Sequence, residues 1–272
     1  MRRFHLIEIH EQPWCPSLVR DYVTDVLQFG FSLTEVYAPA APLLQRVLDS
    51  TGGSSIVDIC SGRGGPWLHL ARRLASKDSA IDAPGIQILL TDKFPNVGAL
   101  PKSPICANQI TRYKNPVDAM LVPHELKGIR TMFTSFHHFP PEEAQAILQN
   151  AVDSGEGIGI FEVTRRALPT VVMVTAWALV LSVCTLFIRP FSWSRLLWTY
   201  LVPVMPLVLI FDGVVSCLRT YRPEDLREMV AGLTANEYQW DIGEHSGGRP
   251  PVTTYLIGYP RTSAEFFSVT PI

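Results

Sequence analysis

The sequence predicts an α/β fold built on a mostly parallel sheet, from short apolar runs alternating with amphipathic helical patterns. Residues 55–60 (SIVDIC) form a nearly continuous apolar run that ends at Gly62-Arg63-Gly64-Gly65. A strand buried on both faces and closed by a glycine turn has this pattern. Residues 67–75 (WLHLARRLA) follow with helical spacing, and Pro66 suits a first helical turn, where its missing N–H is harmless. The same alternation then recurs down the chain.

Before this unit, residues 13–48 read as helical. Leu18, Tyr22, Val26 and Phe29 recur on one face, Pro39 and Pro42 punctuate, and a second short helix covers 43–48. After it, residues 86–91 (IQILLT) form a second strand ending at Asp92, and residues 109–113 a third. Residues 130–136 (RTMFTSF) form a fourth and residues 157–163 (GIGIFEV) a fifth. Between the last two, residues 140–151 begin with proline and carry an acidic first turn that complements the helix dipole. A helix at 223–233 precedes strands at 238–244 and 253–259, joined through the turn-rich SGGRPP.

The formal charge of -2 is nearly balanced and the basic residues are scattered, which argues against a nucleic-acid partner. The five cysteines (Cys15, Cys60, Cys106, Cys184, Cys217) lack the paired spacing of a zinc or redox motif, so no metal is expected. They read as reduced, mostly buried thiols. The first ten residues contain no apolar run of signal-peptide length, so they are expected to belong to the fold or its surface.

A glycine turn after the first strand lets a ligand approach the backbone, and Asp92 can accept hydrogen bonds from both hydroxyls of a ribose. A nicotinamide fingerprint would need a small residue where Trp67 stands. Taken in order, the segments resemble class I S-adenosylmethionine-dependent methyltransferases, over about 54–164 and 221–259. VDICSGRGG resembles that family's first motif, with Cys60 in place of the first glycine. LLTD, VDAMLVP and SFHHF resemble its ribose-binding, adenine-binding and active-site segments. The resemblance implies a Rossmann-like seven-stranded sheet with helices on both faces and a C-terminal antiparallel hairpin, with S-adenosylmethionine as cofactor. It further implies that Asp58 orients the methionine amino group and that Cys60, Gly62, Arg63 and Gly64 line its chain. Asp92 and Lys93 would then sit at the ribose, with Asp118, Ala119 and Phe136 around the adenine and the active-site mouth. Arg63 could meet the cofactor carboxylate. His137 and His138 are the first candidates for proton transfer, with Glu162 after them.

One stretch breaks the rhythm. Residues 167–188 contain 22 residues without a charge, about 33 Å as a helix, close to the thickness of a bilayer core. Residues 196–211 are again uncharged but carry Pro203 and Pro206. The expected layout is therefore an N-terminal helical cap (1–50), a cofactor-binding domain (51–166 and 212–272) and an inserted apolar hairpin (167–211). Three readings of the hairpin stand side by side: spanning, re-entrant or interfacial, and a buried lid or dimer interface. Arg165, Arg166, Arg219 and Arg222 outnumber Arg189 and Arg195 of the loop, and Trp193 and Trp198 suit an interfacial belt. The sequence thus predicts a membrane-associated methyltransferase with its catalytic domain on the cytoplasmic side, acting on a small apolar or lipid-like acceptor. Non-methyl chemistry on the same fold and a non-catalytic membrane scaffold are the alternatives. The oligomeric state is left open.

Overall fold

A computed structural model describes residues 1–75, 85–95, 109–189, 191–235, 237–245 and 251–261. The SGGRPP turn and Cys106 fall largely or wholly outside these residues. Strand β1 (Ser55–Asp58) lies at the centre, parallel to β2 (Gln87–Leu90) on one side and β4 (Ile129–Phe133) on the other. β3 (Ile110–Arg112) extends the sheet beyond β2, and β5 (Ile158–Glu162) extends it beyond β4. β7 (Thr253–Pro260) runs antiparallel to β5 and pairs with β6 (Tyr238–His245) at the edge. The strand order is β3-β2-β1-β4-β5-β7-β6.

Successive side chains leave a strand on opposite faces, and both faces here are covered. Ile56, Phe133 and Phe161 meet α2 (Ala40–Thr51) and α3 (Trp67–Ala75) through Leu44, Val47, Trp67 and Leu70. Their neighbours Val57, Met132 and Ile160 meet α4 (Pro141–Asp153) and α8 (Pro223–Ala231) through Ile147, Leu148 and Leu226. The fourth strand stops at Phe133 rather than at 136, because Thr134 takes a left-handed conformation (φ 45°) that a ladder cannot continue.

α1 (Ser17–Leu33) carries the apolar insertion on its buried face. The insertion comprises α5 (Leu168–Val183), a 3-10 turn over Cys184–Phe187, α6 (Trp193–Leu196) with a π turn after it, and α7 (Val204–Arg219). Pro203, without an N–H, marks a 77° bend before α7. Gly213 brings α7 against α5, for a Cβ there would lie 2.7 Å from Val174. Tyr22, Val26, Leu181 and Leu209 form the cluster between these helices. Leu18, expected on the same face, is exposed. The boundary expected at 211 falls inside α7. Asp212 does not end the helix because it is buried and accepts the Ile9 and His10 N–H groups at 2.7 and 3.2 Å.

Candidate active site

After β1 the backbone turns through left-handed residues: Cys60 (φ 57°), Gly62 (51°), Gly64 (112°) and Gly65 (48°). Glycine takes these angles without strain, whereas Cys60 does not. A Cβ placed on Gly62 would touch only Thr24 at 3.7 Å, and one on Gly65 would meet nothing within 4 Å. The turn therefore edges an open space at the carboxyl ends of β1 and β4, where the chain direction of neighbouring connections reverses.

Asp58 and Asp92 face this turn from adjacent strands. Asp58 is buried at the end of β1 and accepts the Thr131 hydroxyl at 2.6 Å. Burial, against which the Thr131 bond works, raises its pKa to about 7, and the nearby Asp92 adds to the rise. Asp92 accepts Gly62 N–H at 2.9 Å on one oxygen and Phe94 N–H at 2.8 Å on the other. Each oxygen keeps a further lone pair for a ligand hydroxyl. The Asp92 carbonyl accepts Val117 N–H at 3.0 Å, which brings Asp118 and buried Ala119 alongside. Lys93 lies 3.8 Å from the Asp118 carboxylate, and Asp118 itself accepts Met120 N–H at 2.9 Å. Burial pushes the Cys60 thiol well above its ordinary range, which keeps it neutral.

Three of the expected site residues sit among partners of their own. Phe136 is wholly buried in the core beside Tyr221, so it lines no cleft. Arg63 is held by Asp25 at 2.7 Å rather than offered to a cofactor carboxylate. His137 has no exposed surface and lies between Glu162 at 2.8 Å and Glu8 at 3.4 Å. Burial opposes its charged form, but the two carboxylates outweigh burial and hold the ring protonated, with a pKa of about 10. This burial between two carboxylates favours an anchoring role for His137 over proton transfer. Glu162 is equally occupied: it accepts the N–H groups of Phe136 and His137 at 2.8 and 3.2 Å besides the His137 ring. His138 differs, since it retains some exposure and lies within Coulombic reach of Asp92.

The N-terminal segment supplies groups that sequence reasoning missed. Glu8 is buried, His10 bonds Asp212 at 2.8 Å, and Glu11 holds both His138 and Arg219. Their only sequence signal is the unusual density of Glu and His ahead of any helix. Tyr37 reaches in from before α2 to bond Thr134 at the end of β4.

The five parallel strands, the antiparallel end pair and the glycine turn at the carboxyl end of β1 are together what the sequence resemblance implied. The chain has a Rossmann-like α/β fold with a seven-stranded, mostly parallel sheet. No family model and no curated protein sequence matches the chain. Among solved structures, human N-acetylserotonin methyltransferase in complex with S-adenosylmethionine aligns over 87% of this chain and 56% of its own, at 14% identity and a TM-score of 0.44. Mitomycin 7-O-methyltransferase aligns over 82% and 53%, at 12% identity and a TM-score of 0.44. Magnesium protoporphyrin IX methyltransferase from Synechocystis, with S-adenosylmethionine bound, aligns over 82% and 79%, at 13% identity and a TM-score of 0.39. The chain thus spans about half the length of the first two methyltransferases. Four described cysteines (Cys15, Cys60, Cys184, Cys217) are free thiols, two of them buried.

Proposed function

We propose that the chain binds S-adenosylmethionine in this cleft and transfers its methyl group to a small apolar or lipid-like acceptor. The reading rests on Asp58 and Asp92 at the ends of neighbouring parallel strands, with the left-handed turn between them. Asp58 would take the ammonium of the methionine moiety, a charge that favours its ionised form. Asp92 would receive the ribose hydroxyls on its remaining lone pairs, and Asp118 the adenine amino group. The sulfonium supplies an already activated methyl, so the protein's main task is to align donor and acceptor in line. Trp67 speaks against a nicotinamide ligand, because it fills the core at the start of α3 where a small residue would have to sit.

The insertion supports an acceptor met at an apolar surface. Val172, Val183, Phe187, Trp193, Leu201 and Leu207 of the insertion are all exposed. So many exposed apolar side chains in one insertion suit a contact surface. Its tip, however, is bound to α1, and through it to the glycine turn: Arg195 pairs with Asp25 at 2.6 Å, and Asp25 also holds Arg63 at 2.7 Å. A hairpin crossing a bilayer would carry its tip to the far side, so the interfacial placement is the better of the membrane readings. The domain would then rest on the cytoplasmic face, with its insertion in the headgroup region.

The test is transfer of labelled methyl from S-adenosylmethionine into the organic phase of a total lipid and small-molecule extract. Enzyme-dependent label in that phase is expected. Label confined to protein or nucleic acid, or none in any fraction, would defeat the reading.

A further inference from the structure

We propose that Glu8, His10 and His138 form a divalent-metal site, suited to zinc, at the mouth of the cleft. One ligand atom from each of the three lies within 4.8 Å of the others. The two oxygens of Glu8 have separate surroundings. Oε1 accepts the Ser216 hydroxyl at 3.0 Å and faces Arg219 at 3.5 Å and His137 at 3.4 Å. Oε2 lies 3.7 Å from Nδ1 of His10 and 3.8 Å from Nε2 of His138. One oxygen thus anchors the side chain and the other is left toward the two imidazoles.

Each imidazole is itself held by a carboxylate at Nδ1. Asp212 takes that nitrogen of His10 at 2.8 Å, and Glu11 takes that of His138. A carboxylate behind a histidine leaves the other ring nitrogen to a metal, as around bound zinc. At His138 that nitrogen is the Nε2 facing Glu8, whereas at His10 the atom nearest Glu8 is the Nδ1 held by Asp212, and Nε2 would be the ligand. Two such pairs converging on a third, buried carboxylate are hard to explain as surface ion pairing. The backbone is fixed as well: Arg219 donates to the carbonyls of His137 and His138, and Asp212 accepts Ile9 and His10 N–H. Two nitrogens and one oxygen suit zinc, cobalt or nickel better than magnesium or calcium, which prefer all-oxygen shells. Zinc bonds near 2.0–2.1 Å require ligand atoms roughly 3.3 Å apart, a contraction of up to about 1.5 Å from the present spacing. Three protein ligands leave a fourth position open, the pattern of catalytic rather than structural zinc.

The open position would border the cofactor cleft, since His138 follows the carboxyl end of β4, the strand beside β1 and its glycine turn. An acceptor hydroxyl is the group suited to it, and this assignment of substrate class rests on the methyl-transfer reading above. Bound there, the hydroxyl would lose its proton to solvent at neutral pH. Its oxygen lone pair would form the new O–CH3 bond while the S–CH3 bond breaks. The bonding pair would pass to sulfur, so that the sulfonium becomes a neutral thioether.

The experiment titrates the chelator-stripped full chain with cobalt(II) alone, read by its ligand-field absorption, and then displaces it with zinc(II). S-adenosylhomocysteine binding is measured by calorimetry on the same samples. About one equivalent of cobalt is expected, displaced by zinc, with affinity at least tenfold weaker in Glu8→Gln, His10→Gln or His138→Gln. Asp212→Asn, behind His10, is expected to weaken binding about tenfold or more. The site is refuted if the wild-type chain binds no cobalt or zinc, or if folded His138→Gln, checked by circular dichroism, binds as tightly as wild type. Cobalt binding without S-adenosylhomocysteine binding would sustain the metal site while removing the methyltransferase reading.

Discussion

Arg195, in the middle of the apolar insertion, donates to Asp25 of α1 at 2.6 Å, and the second oxygen of Asp25 holds Arg63 at 2.7 Å. The pair links the tip of the insertion to the glycine turn after β1. It also fixes which side of the insertion is free: the face turned away from α1 and the α/β domain.

That free face is expected to bind bilayers. Leu186, Phe187 and Leu201 are exposed on it and take no part in the buried cluster with α1. The triple variant Leu186→Glu, Phe187→Glu, Leu201→Glu should fold normally and lose most co-sedimentation with phosphatidylcholine–phosphatidylglycerol vesicles. Equal sedimentation of variant and wild type would rule out the interfacial placement. Substitution is preferable to deleting 167–211, which would cut α7 and remove six of the nine buried residues of the cluster packed on α1.

Asp58 predicts a pH dependence of opposite sign for stability and for binding. A buried carboxyl whose pKa rises from 3.8 to about 7 favours the folded state most while protonated. That contribution is fully present below the ordinary carboxyl pKa and fades as pH rises through about 7. At about 1.4 kcal/mol per pKa unit the full loss is on the order of 4 kcal/mol. Asp58→Asn should therefore raise the melting temperature of the ligand-free protein at pH 8 and leave it nearly unchanged at pH 4. Wild-type affinity for S-adenosylhomocysteine should increase from pH 6 to pH 8, and in Asp58→Asn it should be weaker and flat. A variant that binds like wild type at pH 8 would remove Asp58 from the site.

Cys60 predicts a contrast between two substitutions. At φ 57° a β-branched residue is strained by roughly 1–3 kcal/mol, while glycine is not. Cys60→Gly should keep ligand affinity within a few-fold. Cys60→Val should lower both stability and affinity, the former measured by urea denaturation. Indistinguishable variants would show that the angle at this residue does not shape the turn.

Most of the sheet was legible because burial on both faces is written as near-continuous apolar runs such as Ser55–Asp58 and Ile158–Glu162, and the turn because its glycines are needed for left-handed angles. Asp58 and Asp92 were legible as carboxylates at or just after the ends of strands, whereas Asp118, beyond the end of β3, was reached only through the family resemblance. The roles of His137, Phe136 and Arg63 were not, because they depend on partners far away in the chain. Glu8 comes from the N-terminal segment and Asp25 from α1, and no local pattern predicts where either packs. Asp212 was read as ending an apolar run for the same reason: its partners, Ile9 and His10, lie some two hundred residues earlier.

The most direct measurement is calorimetric titration of S-adenosylhomocysteine into the wild-type chain and Asp92→Asn at pH 8. Hydrogen bonds to a charged acceptor contribute about 1.5–3 kcal/mol each, so saturable wild-type binding and a roughly ten- to hundredfold loss in the variant are expected. No heat of binding to the folded wild type, or unchanged affinity in the variant, would contradict the account.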